Sequence, residues 1–79
     1  MTAEEMGGFL GIVSWVVLKE TMSAFGMRTD FGTTMEMISA GGQILRDGEG
    51  RPVDEVMGEL VRLSVQIALR KRNLLACNN

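Results

Sequence analysis

Thirteen consecutive residues, Met6 to Leu18 (MGGFLGIVSWVVL), carry no charge in a chain of 79 residues whose net charge is −2. A run this apolar must leave water, so it is a membrane segment, an export signal or a buried helix. A membrane-spanning helix needs about 20 mostly apolar residues, and thirteen fall short. Extending the run to Met27 takes in Lys19 and Glu20, each costing roughly 2.5–3.5 kcal/mol at the bilayer centre. A secretory signal has this apolar length but a basic start, whereas this run follows MTAEE. The reading is a buried helix. A small membrane-associated protein anchored by Met6–Leu18 stands as an alternative.

The helix signals agree. TAEE at Thr2–Glu5 is a capping box, in which Thr2 accepts from the Glu5 amide and Glu5 reaches back to the Thr2 amide. Gly26 supplies a left-handed stop, so the spacing predicts a helix from Ala3 to Phe25, about 34 Å long at 1.5 Å per residue. At 100° per residue it has three faces. Met6, Phe9, Leu10, Val13, Val16 and Val17 form a bulky apolar sector. Ala3, Gly7, Gly11, Ser14, Leu18 and Thr21 form a smoother one. Glu4, Lys19 and Ser23 mix with Ile12, Trp15 and Met22 on the third. Each glycine in a helix interior costs about 0.8–1 kcal/mol relative to alanine. Close approach by another backbone at Gly7 and Gly11 offsets that cost.

Two further helices follow. TTME at Thr33–Glu36 is a second capping box, and it predicts a short helix from Thr34 to Arg46. Met35, Ile38, Gly42 and Leu45 would face inward, with Glu36, Ser39, Gln43 and Arg46 outward. Gln43–Val53 reads as the end of this helix plus a turn. The rival is a β-hairpin pairing QIL with RPV around Asp47 and Gly48, marginal in water without a sheet to join. After Pro52, with Asp54 as N-cap, Val56, Met57, Leu60, Leu63, Ser64, Ile67 and Leu74 share one face. Glu55, Glu59, Arg62, Gln66, Arg70 and Asn73 share the other. Glu59 and Arg62 are spaced to pair, and Arg70–Arg72 would complement the helix C-terminus.

Little in the chain suggests chemistry. There is no His, and the one Cys, Cys77, lies two residues from the end. That removes an internal disulfide and the usual zinc ligands, and a lone thiol suits a reducing, cytoplasmic setting. Ser14, Ser39 and Ser64 have no base to activate them. The carboxylate pairs Glu4–Glu5 and Asp54–Glu55 sit at helix starts, where they serve the helix dipole. DGEG lacks the spacing of a calcium loop, and GGFLG and AGG lack the Gly-Lys-Ser/Thr of a phosphate loop. No catalytic residue, cofactor, metal or small-molecule substrate is expected. All ten acidic residues lie at or before Glu59. Arg70, Lys71 and Arg72 therefore form a local basic run, whose alternative use is weak nucleic-acid binding.

These observations predict an all-α fold: a single domain, residues 1–79, of a long N-terminal helix, a short middle helix and an amphipathic C-terminal helix. A core of this size rarely supplies more than about 3–5 kcal/mol without a staple, and a helix apolar on more than one side needs more cover than two neighbours give. Completion by a second copy, a homodimer, follows, or docking on a larger protein partner. Gly7, Gly11, Ile12, Ser14, Trp15 and Met22 are the candidate interface, Trp because it is enriched at binding hot spots. The expected function is a non-enzymatic protein–protein interaction module, a small inhibitor or adaptor. One concrete form is a phage or mobile-element inhibitor of a host machine, of the anti-CRISPR or antitoxin type, an analogy of size alone.

Overall fold

The structure, a computed structural model, describes the backbone of residues 3–77 and the side chains of residues 12–74. Three helices pack on one another: α1 (Ala3–Ala24), α2 (Phe31–Asp47) and α3 (Val53–Cys77). No strand occurs among the described residues, so Gln43–Val53 is helix end plus turn and the hairpin is excluded. No helix is long and apolar enough to cross a membrane among the described residues.

α1 ends where its glycine places the stop. Gly26 has φ +71°; its amide donates to Ser23 O at 2.9 Å and the Met27 amide donates to Met22 O at 2.9 Å. This crossed pair satisfies the last carbonyls and turns the chain back. The Thr2 cap lies outside the described residues.

α2 begins three residues before the predicted Thr34, and Thr33 is not its cap. The Asp30 carboxylate accepts from the Thr33 amide at 2.7 Å, and Asp30 O accepts from the Thr34 amide at 3.0 Å. Asp ranks above Thr as an N-cap, and the earlier start turns Thr33 inward, where it is fully buried. The inward face also differs. Thr33, Met37, Gly41 and Gly42 are buried, while Met35 is half exposed. Small residues take the line of contact because a neighbouring helix comes close, and the larger Met35 is left outside.

That close approach is at Gly41. A Cβ there would stand 2.6 Å from Ser14 Oγ and 3.3 Å from Leu60 Cδ2, so all three helices meet at this atomless position. Around it lie Leu18, Met22, Met37, Leu60, Ile67 and Ala68, flanked by Val13, Val17, Phe25, Met27, Ile44, Leu45, Met57 and Leu63. Ser64 Oγ, also buried, donates to Leu60 O at 3.0 Å. The turn after α2 is equally tight, since a Cβ on Gly48 would stand 2.5 Å from Val56 Cγ2.

α3 starts at Val53, one residue before the expected cap, so Asp54 sits in the first turn with Glu55. Pro52 holds the capping place: its carbonyl accepts from the Glu55 and Val56 amides at 3.1 and 3.3 Å. Leu74, assigned to the core face, is exposed. It lies nearly a turn past Lys71, which meets Asp30 at the start of α2, so no α2 residue remains to cover it. Glu59 does not pair with Arg62. Arg51 takes it at 2.7 Å and reaches Glu55 at 3.5 Å.

Candidate interaction surface

The helical period decides which side of α1 is covered. Ser14, Leu18 and Met22, four residues apart, are fully buried or nearly so, with Val13, Val17, Thr21 and Phe25 part-buried beside them. The opposite side faces water. Ile12 is 63% exposed, Trp15 38% and Val16 39%, and Lys19, Glu20 and Ser23 continue the same side toward Gly26. Lys19 Nζ lies 4.8 Å from the Trp15 ring centroid, within cation–π range, so its charge rests on the aromatic face.

The six residues expected to form an interface therefore divide. Ile12 and Trp15 are on the open side. Ser14 and Met22 are enclosed by the chain itself, Ser14 against Gly41 and Met22 in the core. Met22 lies on the edge of the mixed sector nearest Leu18, and packing draws it inward, away from Trp15. Gly7 and Gly11 belong to α1, and what surrounds them lies outside the described residues. Val16, which the sequence placed on the bulky sector, joins Ile12 and Trp15. On α2, Phe31 and Met35, one turn apart, are 81% and 48% exposed. No sequence signal separated them from core residues, because only the rotation of α2 turns them out.

Arg70–Arg72 is not a terminal cap, since α3 continues to Cys77 and its last turn holds no basic residue. Each member instead meets its own chain. Arg70 Nη2 donates to both oxygens of Glu36 at 2.5 and 2.6 Å, Lys71 approaches Asp30 at 3.7 Å, and the Arg72 guanidinium lies 5.5 Å from the Phe25 ring centroid. The run thus ties the C-terminal part of α3 to α2 and to the end of α1. The ion-paired groups are partly to well exposed, so the pairs set geometry more than they add stability.

The Asp30 carboxyl is held below its ordinary 3.8, first by the hydrogen bond from the Thr33 amide and further by the attraction of Lys71. That is the chemistry of a cap rather than of an acid catalyst. No group of three His, Cys, Asp or Glu side chains is placed to hold a metal among the described residues. Two shallow grooves border Trp15, one lined with Val16, Lys19, Glu20 and Ser23, the other with Lys19, Ser23, Met27, Arg28 and Thr29. Both are open, unlike the enclosed pockets that hold small ligands. No family model, curated protein or solved structure matches this chain.

Proposed function

We propose that this chain is a non-enzymatic protein–protein interaction module that pairs with a second copy through the outer side of α1 and acts as a small inhibitor or adaptor. One observation carries the reading: Ile12, Trp15 and Val16 lie exposed together on a helix whose other side is already buried. A contiguous apolar strip of this kind is an expected association site, and an aromatic at its edge is an expected anchor. The engagement of Arg70–Arg72 by Glu36, Asp30 and Phe25 favours a protein partner over nucleic acid. The lone thiol suits work in a reducing cytoplasm.

Gel filtration with light scattering tests it. The expected mass is twice the 8.6 kDa of the chain at micromolar concentration. A monomer throughout that range removes the homodimer and leaves docking on another protein.

A further inference from the structure

We propose that the groove at the C-terminal end of α1 receives an acidic segment of a partner protein that carries an apolar side chain next to its carboxylate. This deepens the reading of α1 as an interaction surface and rests on it.

The groove exists because Gly26 reverses the chain. Its left-handed φ of +71° brings Met27, Arg28 and Thr29 back beside the last turns of α1. With Trp15, Lys19 and Ser23 they bound an open groove of about 370 Å³. Its chemistry is of three kinds. Trp15 and Met27 offer apolar surface, Ser23 and Thr29 offer hydroxyls, and Lys19 and Arg28 offer two cations. No carboxylate lines it.

Neither charge is paired with a carboxylate among the described residues. Arg51, Arg70 and Lys71 have carboxylate partners, whereas Lys19 and Arg28, like Arg46, Arg62 and Arg72, have none among the described residues. What sets Lys19 and Arg28 apart is that they line one groove with Trp15. Asp30 follows closely in sequence but is committed elsewhere, accepting from the Thr33 amide at 2.7 Å and facing Lys71. Glu20 borders the adjoining groove instead.

Two cations without a carboxylate partner, Lys19 resting on the Trp15 ring and Arg28 beside it, select a complementary carboxylate, which gains charge-assisted hydrogen bonds there. An apolar neighbour on the same segment covers Trp15 and Met27. The absence of enclosure favours an extended peptide over a small anion. Nucleic acid bases also stack on tryptophan, but the chain's net charge of −2 repels a polyanion at range.

Trp15 is the single tryptophan of the 79-residue chain, so its fluorescence reports occupancy directly. Short random tryptophan-free peptides displayed on phage would be selected on the immobilised protein, and the enriched peptide titrated in solution. The expected sequences pair Asp or Glu with Leu, Ile or Phe, and the peptide shifts Trp15 emission saturably. Replacing its acidic residues by Lys, or adding salt to about 0.5 M, weakens binding. The double variant Lys19→Glu/Arg28→Glu loses at least about tenfold in affinity, with circular dichroism unchanged, while Arg62→Glu, an exposed cation of α3, binds as the parent does.

Enrichment of peptides without acidic residues, no enrichment at all, or tighter binding of a thymidine oligonucleotide overturns the proposal. So does equal binding by the double variant. Light scattering on the same samples separates the two readings. A monomer that binds the acidic peptide rejects the homodimer alone, and a dimer with no peptide response rejects the groove alone.

Discussion

Gly41 shows how much one missing methyl can determine. A Cβ there would meet Ser14 Oγ at 2.6 Å, Ser14 Cβ at 3.1 Å and Leu60 Cδ2 at 3.3 Å. Helix propensity alone favours Gly41→Ala by about 0.8–1 kcal/mol. Overpacking a tight contact costs about 1–3 kcal/mol, and with three atoms inside ordinary contact distance the steric cost should win. Gly41→Ala is therefore expected to destabilise the fold in urea titration. Ser14→Ala is expected to leave stability equal or slightly higher, because the Ser14 hydroxyl is buried without a hydrogen-bond partner. Combining the two removes the shortest contact, so the double variant should be more stable than the sum of the single changes implies. Strict additivity would show that Ser14 does not oppose Gly41. The sequence did mark small residues on α1, Ser14 included, as a surface for close approach. It did not show that Gly41 of α2 would meet it.

Legibility varied among the helices for a physical reason. α3 was the most legible, because Val56, Leu60, Ser64 and Ile67 recur at helical spacing and all are buried. α2 was harder: its buried line of Thr33, Met37 and Gly41 is mostly small or polar, and hydropathy pointed to Met35 instead. The TTME box puts its start at Thr33, and the hydrogen bonds to Asp30 together with the burial of Thr33 move the cap to Asp30. That cap can be titrated. The folded pKa of Asp30 lies below its ordinary 3.8, so its contribution is fully present above the unfolded pKa. It is lost as pH falls through the folded value. Asp30→Asn keeps a good capping acceptor without the ionisation. Its melting temperature is expected to fall less steeply than the parent's below about pH 3.8. At neutral pH the variant should melt slightly lower, having lost the charge that faces Lys71. Parallel acid profiles for the two proteins would remove Asp30 as the titrating cap.

As a whole molecule the chain is extended for its length. Its radius of gyration is 13.2 Å, against about 11.6 Å expected of a compact domain of this size. The Cα envelope measures 47 × 24 × 16 Å. A body so thin leaves each helix a side in water; α2 exposes Phe31 and Met35 and α3 exposes Val61 and Leu69, while on α1 Ile12, Trp15 and Val16 stand together on the open side. Pairing across that side would couple folding to association, since whatever binds only the folded state stabilises it by mass action. Each tenfold rise in protein concentration is then worth about 1.4 kcal/mol per dimer. Shared between two small protomers, that raises the melting temperature by about 3–5 °C. The double variant Ile12→Asp/Val16→Asp changes two exposed positions, so the monomer should keep its helical content. Its melting temperature should no longer depend on concentration, because apposing two pairs of carboxylates on the strip opposes contact. Ser39→Asp, on the exposed side of α2, should retain the parent's concentration dependence. A concentration-independent parent, or an Ile12→Asp/Val16→Asp variant that keeps the parent's slope, would remove the outer side of α1 as the self-association surface.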